Sequence, residues 1–135
     1  MKSIQIDAFL KAHGFLLVKN EVSDSFGDYY TVFSNGVIKL RFIKDKSTKA
    51  VDVGSALCNN EVWYDLSLVK NMLYCDDQLN VALTFEQYQE FLVANIDRLN
   101  SLFNYDSYKT TIEKLEELQN QRAKQMFPWF KPPKD

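Results

Sequence analysis

Side chains that build catalytic and metal sites are scarce in this sequence of 135 residues. It contains one histidine, His13, and two cysteines, Cys58 and Cys75. A structural zinc site usually takes four ligands in paired short spacings, and these three residues show no such spacing. No Ser-His-Asp arrangement is recognisable around His13, which precedes Gly14 at the expected end of a helix. We therefore expect no metal, no cofactor and no catalytic residue.

Glycine-rich loops, long apolar runs and an excess of basic residues are also missing. The four glycines are isolated, so no phosphate-binding loop is present. No run approaches the roughly 20 apolar residues of a membrane span. Asp7 and Lys11 interrupt the N-terminal stretch where a signal peptide needs apolar residues. The net charge of −2 argues against a protein that binds nucleic acid by neutralising phosphates. We expect a cytoplasmic protein that binds neither nucleic acid nor membranes.

What is present is a clear strand pattern in residues 29–55, where apolar and polar residues alternate in three short runs. Asn35-Gly36 is a strong signal for a two-residue hairpin loop, which would pair Ser34 with Val37. One predicted face is apolar and consists of Tyr29, Thr31, Phe33, Ile38, Leu40, Phe42, Val51 and Val53. The other predicted face carries Tyr30, Val32, Lys39, Arg41 and Asp52. A slip of one residue would mix the two sets, so the pattern specifies an antiparallel meander of three to four strands.

Helical patterns lie on both sides of this sheet. A first helix is expected to end at Gly14. Further helical faces are predicted from Val62, Leu66, Val69 and Leu73, from the stripe that follows the Thr84–Gln87 capping box, and from the stripe after Asp106 or Ser107. The last stripe is thin, as in a helix at the margin of a core or against another chain. The order predicts an α+β fold: an N-terminal helix, the meander, then three helices packed on one sheet face.

The predicted domain spans residues 1–127, and residues 128–135 form a tail rich in proline and aromatic residues. Phe127, Trp129 and Phe130 are costly to expose to water. They either fold back across the sheet or dock on a second chain.

Two groups of residues are candidates for contact with a protein partner. On the sheet, Arg41 and Asp52 are predicted cross-strand neighbours whose ion pair is worth about 0.2–1 kcal/mol, with Tyr30 and Lys39 beside them. This group is typical of an interaction surface and also of an ordinary exposed sheet face.

The second group is acidic, because residues 58–105 carry a net charge of −5. Glu61 and Asp65 are expected one helical turn apart, and Asp76 and Asp77 lie in a polar loop. A partner surface and a chance distribution both account for this charge. A partner surface of this sign would suit a basic partner.

The stretch FGDYYTVFSNGVIKLRFIKDKSTKAVDVGS, followed by WYDLSLVKNML, resembles small bacterial immunity proteins of polymorphic toxin systems. The resemblance covers about residues 26–73 and mainly fold-forming positions. It implies a non-enzymatic protein that binds a cognate toxin domain and blocks its active site. No functional residue carries over individually.

Two other functions stay open on the sequence. One is a small-molecule binding module with a pocket between sheet and helices, lined by Tyr30, Arg41 and Trp63. The other is a homodimeric scaffold formed through residues 106–130, because the last helix is thin and aromatic residues follow it.

Overall fold

The computed structural model describes residues 6–22, 28–46, 48–58, 60–79 and 81–127. Within these ranges it confirms the α+β class, with four helices and one antiparallel sheet. In chain order the elements are α1 (Ile6–Ala12), β1 (Leu16–Val22), β2 (Tyr29–Ser34), β3 (Ile38–Asp45), β4 (Thr48–Ser55), β5 (Tyr64–Asp65), α2 (Leu66–Leu73), α3 (Phe85–Leu102) and α4 (Tyr108–Met126). The tail assigned to residues 128–135 lies outside the described part.

The sheet has five strands in the order β1-β2-β3-β4-β5, one more than the largest number predicted. The additional strand is β5, whose Tyr64 and Asp65 pair with Val53 and Asp52 of β4. Two residues are too few for an alternating pattern to show in the sequence.

Strand β5 lies where the apolar spacing predicts the start of a helix, and that prediction is wrong. Helix α2 begins at Leu66, and Val62 precedes it outside any helix. The Asp65 side chain caps α2 by accepting a hydrogen bond from the backbone nitrogen of Ser67 at 2.8 Å. Glu61 and Asp65 therefore do not lie one helical turn apart.

The hairpin between β2 and β3 differs from the predicted two-residue loop. Ser34 pairs with Lys39, so the register is shifted by two residues and the loop is longer. Asn35 explains the difference, because its side-chain oxygen accepts hydrogen bonds from the backbone nitrogens of Val37 and Ile38, both at 2.9 Å. This side-chain turn replaces the tight backbone turn. A shift of two residues returns each side chain to the same sheet face.

The inner face of the sheet, which packs against the helices, is the apolar face predicted from the sequence. Its buried members are Phe33, Ile38, Leu40, Phe42, Val51 and Val53. Val32 lies on the outer face as predicted, but it is only 5% exposed. Its cross-strand neighbours are Lys19 and Arg41. The charged groups of both side chains lie over the Tyr30 ring, 5.2 and 5.8 Å from its centre.

Strand β1 is the exposed edge of the sheet. All seven of its residues are exposed, and three apolar ones, Leu16, Leu17 and Val18, are consecutive. The pairing with β2 shifts between Leu17 and Lys19. An irregularity of this kind and an edge lysine both discourage another strand from adding to the sheet.

Helix α3 begins with the predicted capping box. The Thr84 hydroxyl accepts from the Gln87 backbone nitrogen, and the Gln87 side chain accepts from the Thr84 backbone nitrogen. The helix is kinked at Asn95, whose side chain donates to the Phe91 carbonyl and to the Tyr74 hydroxyl. The apolar stripe of α3 supplies much of the core.

Helix α4 has the thin apolar side predicted for it. Ser107 is the residue before it, but the Ser107 side chain makes no capping hydrogen bond. Thr111 and Leu115 are its buried residues. Met126 and Phe127 at its end are about half exposed.

Candidate functional site

A row of side chains crosses the outer face of the sheet. Lys19 is paired with Val32, Val32 with Arg41, Arg41 with Asp52, and Asp52 with Asp65. The predicted neighbours Arg41 and Asp52 are confirmed. The alternation of apolar and polar residues along β3 and β4 points these two side chains away from the helical layer.

Arg41 is held in place by Asp52. Its Nε lies 3.0 Å and its Nη2 2.5 Å from the same oxygen, Oδ2, of the carboxylate. The Arg41 side chain is 22% exposed and the Asp52 side chain 13% exposed, so this pair is partly withdrawn from water. A guanidinium fixed in this way has little conformational freedom left to lose when a partner binds.

Two aromatic rings flank the same guanidinium. Its carbon lies 4.6 Å from the centre of the Trp63 ring and 5.8 Å from that of Tyr30. The Lys39 ammonium is 5.0 Å from the Trp63 ring. The Trp63 ring therefore makes cation–π contacts with both Lys39 and Arg41, and such contacts stabilise the two positive charges.

The segment before β5 brings Trp63 onto this face. A Cβ atom placed on Gly54 would lie 2.7 Å from the Val62 carbonyl oxygen and 3.4 Å from the Trp63 ring. Glycine is therefore required in β4 for the segment to pass so close to the sheet. Glu61 also holds the ring, because its carboxylate accepts a hydrogen bond from the Trp63 indole nitrogen at 2.9 Å.

We call the residues that meet on this face the outer-face cluster: Tyr30, Lys39, Arg41, Asp52, Glu61 and Trp63. Five of them were candidates for partner contact on the sequence, and Trp63 joins them only in the structure. The sequence predicted that Tyr30, Arg41 and Trp63 line a pocket between sheet and helices; this choice of lining residues is wrong, since the three meet on the opposite face of the sheet. Gly54, two residues after Asp52 in β4, is the sequence feature that could have indicated that another segment crosses the sheet at this point.

The outer-face cluster has two cations, Lys39 and Arg41, and two carboxylates, Asp52 and Glu61. Burial raises the pKa of Asp52, the hydrogen bonds and charge of Arg41 lower it, and the charge of Asp65 raises it, with a net increase. Burial lowers the pKa of Arg41, but its interactions with Asp52 and Tyr30 outweigh that effect. Arg41 is therefore a cation whose hydrogen bonds and charge favour the ionised form of the Asp52 carboxylate, against the effect of burial.

Asp65 is a candidate residue whose carboxylate is engaged by other groups of this chain. Its Oδ1 accepts hydrogen bonds from the Tyr88 hydroxyl and the Ser67 backbone nitrogen, both at 2.8 Å, and Arg122 lies 3.8 Å from its Oδ2. Nearby, the Tyr64 hydroxyl donates to Glu116. These bonds tie β5 and α2 to α3 and α4.

Asp76 and Asp77 lie apart from the outer-face cluster, in the loop after α2. They line an open cavity of about 390 Å³ together with residues of α4. Asp76 accepts a hydrogen bond from the Gln78 backbone nitrogen, and the Gln125 side chain donates to the Asp77 carbonyl. Both carboxylates are exposed, and the structure does not bring them to the sheet candidates.

Among the residues that the structure describes, no group of three or more His, Cys, Asp or Glu side chains could hold a metal ion. None of the described helices combines the length and apolar character needed to cross a membrane. No protein-family model, curated protein or solved structure matches this chain.

Proposed function

We propose that this protein is non-catalytic and acts by binding another protein through the outer-face cluster. The observation that carries the proposal is the position of Arg41, held by Asp52 and flanked by the rings of Trp63 and Tyr30. Arginine, tryptophan and tyrosine are the residues that most often dominate binding energy at protein interfaces. Here they lie together on the face of the sheet opposite the apolar face that packs against the helices.

The partner that we propose is a toxin domain, with the protein acting as an immunity-type inhibitor. The support is the resemblance described above and the acidic charge of residues 58–105. Glu61, Asp76 and Asp77 are exposed and would attract a basic, nucleic-acid-cleaving partner at long range. Inhibition would follow from covering the active site of the toxin, which needs no catalytic group in the inhibitor.

Co-expression with the product of the adjacent gene tests this function. Wild-type protein is expected to restore growth to cells that express that product, and to bind it in isothermal titration. Trp63→Ala removes the ring that flanks Arg41 and is expected to weaken binding at least about tenfold. Tyr105→Ala removes an aromatic side chain at a position that is 82% exposed and should leave binding unchanged. Equal binding by both variants and the wild type would reject the cluster as the binding face.

A homodimer through residues 106–130 is a competing proposal. The exposure of Met126 and Phe127 at the end of α4 favours it. Light scattering on the full chain and on a chain that ends at Met126 separates the two. A dimer that becomes a monomer on truncation supports the homodimer, whereas a monomer in both cases dismisses it.

A further inference from the structure

A cavity of about 240 Å³ lies on the inner side of the sheet, between α1, strands β1 to β3 and the start of α3. Aromatic side chains form much of its wall: Tyr29, Phe33, Phe42 and Phe85. Phe42 packs edge-to-face with Phe33 and with Phe85, at ring distances of 6.0 and 6.4 Å. The volume equals about eight waters of roughly 30 Å³ each, which is room for one small ring compound.

Gln89 places a side-chain amide at this cavity that makes no hydrogen bond with the described part of the chain. It lines the cavity and is 5% exposed. Within the described residues its side-chain amide has no hydrogen-bond partner. Asn95 on the same helix is equally buried, and its amide donates two hydrogen bonds. The Gln89 amide atoms are not among the buried polar atoms that lack a partner, so they are open to the cavity, and a ligand with a complementary edge could pair with them there.

The remaining polar groups indicate a neutral ligand. Burial raises the pKa of Tyr29, so its hydroxyl stays a neutral donor at physiological pH. The Thr31 hydroxyl donates a hydrogen bond of 3.0 Å to the Asn20 side-chain oxygen. The charged residues at the cavity, Asp7 and Lys11, are exposed on α1 and have opposite signs. The charges at the cavity therefore cancel, and they do not favour a charged ligand.

We propose that this cavity binds a small, neutral, planar molecule with an amide edge. Its ring would pack against Phe42 and the neighbouring aromatic walls, and its edge would pair with the Gln89 amide, which offers one acceptor and two donors. The cavity lies on the opposite side of the sheet from the outer-face cluster. The proposal is therefore a second binding site and does not depend on the protein-binding function.

Three probes with the same ring test the proposal by NMR titration of the isotope-labelled full chain. Benzamide has the ring and the amide edge, toluene lacks the polar edge, and benzoate carries a charge. Benzamide is expected to bind saturably and to shift the side-chain amide signals of Gln89. Benzoate is expected to bind at least about tenfold more weakly, because no cation pairs with it in the cavity.

Gln89→Leu keeps the side chain about the same size and removes its polarity. This variant is expected to bind benzamide about tenfold more weakly and toluene at least as tightly as the wild type. Gln119→Leu makes the same change at an exposed site on α4 and should bind both probes as the wild type does. Near-UV circular dichroism establishes that each variant is folded.

Intermolecular NOEs in the wild-type protein give a readout that needs no variant. Contacts between the benzamide ring and the rings of Phe42 or Phe85 support the proposal. Benzamide binding that Gln89→Leu leaves unchanged, NOEs confined to other residues, or no binding at the solubility limit of benzamide would each overturn it.

Discussion

Asp52 and Asp65 lie opposite each other on neighbouring strands, so two carboxylates stand side by side at the edge of the sheet. Each has a cation of its own. Arg41 donates to Asp52 from β3, and Arg122 lies 3.8 Å from Asp65. The like charges are tolerated only while both cations are present, which makes this edge sensitive to the loss of either one.

Replacing Arg41 with methionine tests this balance. Burial and Asp65 already raise the pKa of Asp52, so losing Arg41 raises it further. A folded-state pKa above the ordinary value of 3.8 means that protonation favours the folded protein. The stability from Asp52 is present below that value and is lost as pH rises through the folded pKa. Arg41→Met should cost about 2–3 kcal/mol at neutral pH and less near pH 4, as measured by urea unfolding.

Lys39→Met is the matched control for Arg41→Met, because it removes a cation from the same face without removing a hydrogen bond to Asp52. It should change stability by less than about 1 kcal/mol. Carboxyl NMR titration should show a higher pKa for Asp52 in Arg41→Met. Unfolding of Arg41→Met at the same urea concentration as the wild type would contradict the prediction.

Gly54→Ala should displace the segment that carries Trp63. The added methyl group would meet the Val62 carbonyl at 2.7 Å, and that backbone must move. We expect a loss of about 1–3 kcal/mol and a red shift of Trp63 fluorescence, recorded in a Trp129→Phe background. Gly14→Ala is the control for the emission spectrum alone, because nothing lies within 4 Å of a Cβ there, although its φ of +83° makes alanine cost stability. An unchanged emission spectrum in Gly54→Ala would show that the contact is not close.

Asn35→Ala should weaken the β2–β3 hairpin more than Asn100→Ala does. Asn35 accepts from the backbone nitrogens of Val37 and Ile38 and donates to Asn100 at 2.8 Å, whereas Asn100→Ala removes only the last of these bonds. We expect losses of about 2–3 and about 1 kcal/mol respectively. Chemical denaturation of both single variants and the double variant measures these losses in the free energy of unfolding. Equal losses would mean that the turn does not depend on the Asn35 side chain.

Tyr88→Phe should have an effect that depends on pH. The variant loses a hydrogen bond to Asp65, which should cost about 1 kcal/mol at pH 7. Burial, followed by the charge of Asp65, raises the pKa of Tyr88 above 10.0. The contribution of Tyr88 is therefore present below pH 10 and is lost as pH rises through the folded-state pKa.

Denaturation of Tyr88→Phe at several pH values should show its deficit shrinking above pH 10. Tyr105→Phe, at a position 82% exposed, should match the wild type throughout. A Tyr88→Phe deficit that stays constant from pH 7 to alkaline pH would refute the role given to this hydroxyl.

The sheet faces could be predicted from the sequence because side chains alternate with a period of two. The predicted hairpin register was wrong by two residues, yet Leu40 and Phe42 are buried and Lys39 and Arg41 lie on the outer face as expected. An error of one residue would have exchanged the faces. The capping box at Thr84 was predictable for a related reason, since both of its hydrogen bonds join residues close in sequence.

The start of α2 could not be predicted in the same way. Apolar spacing placed Val62 on a helix, but Asp65 pairs with Asp52 and is bonded to Tyr88, which lies 23 residues away in the chain. Contacts between distant residues decide such a boundary. Gln89 illustrates the same limit, because it lies beside the apolar stripe of α3 and is buried where that helix meets the sheet.

By itself, the sequence determined the α+β class, the two faces of the sheet and the capped helix α3, because each depends on spacing between residues that are close along the chain. Only the tertiary structure decided that Trp63 crosses Gly54 to meet Arg41, and that Gln89 faces an aromatic cavity. These arrangements join side chains from separate elements. Their geometry depends on how the elements pack, and local periodicity carries no record of that packing.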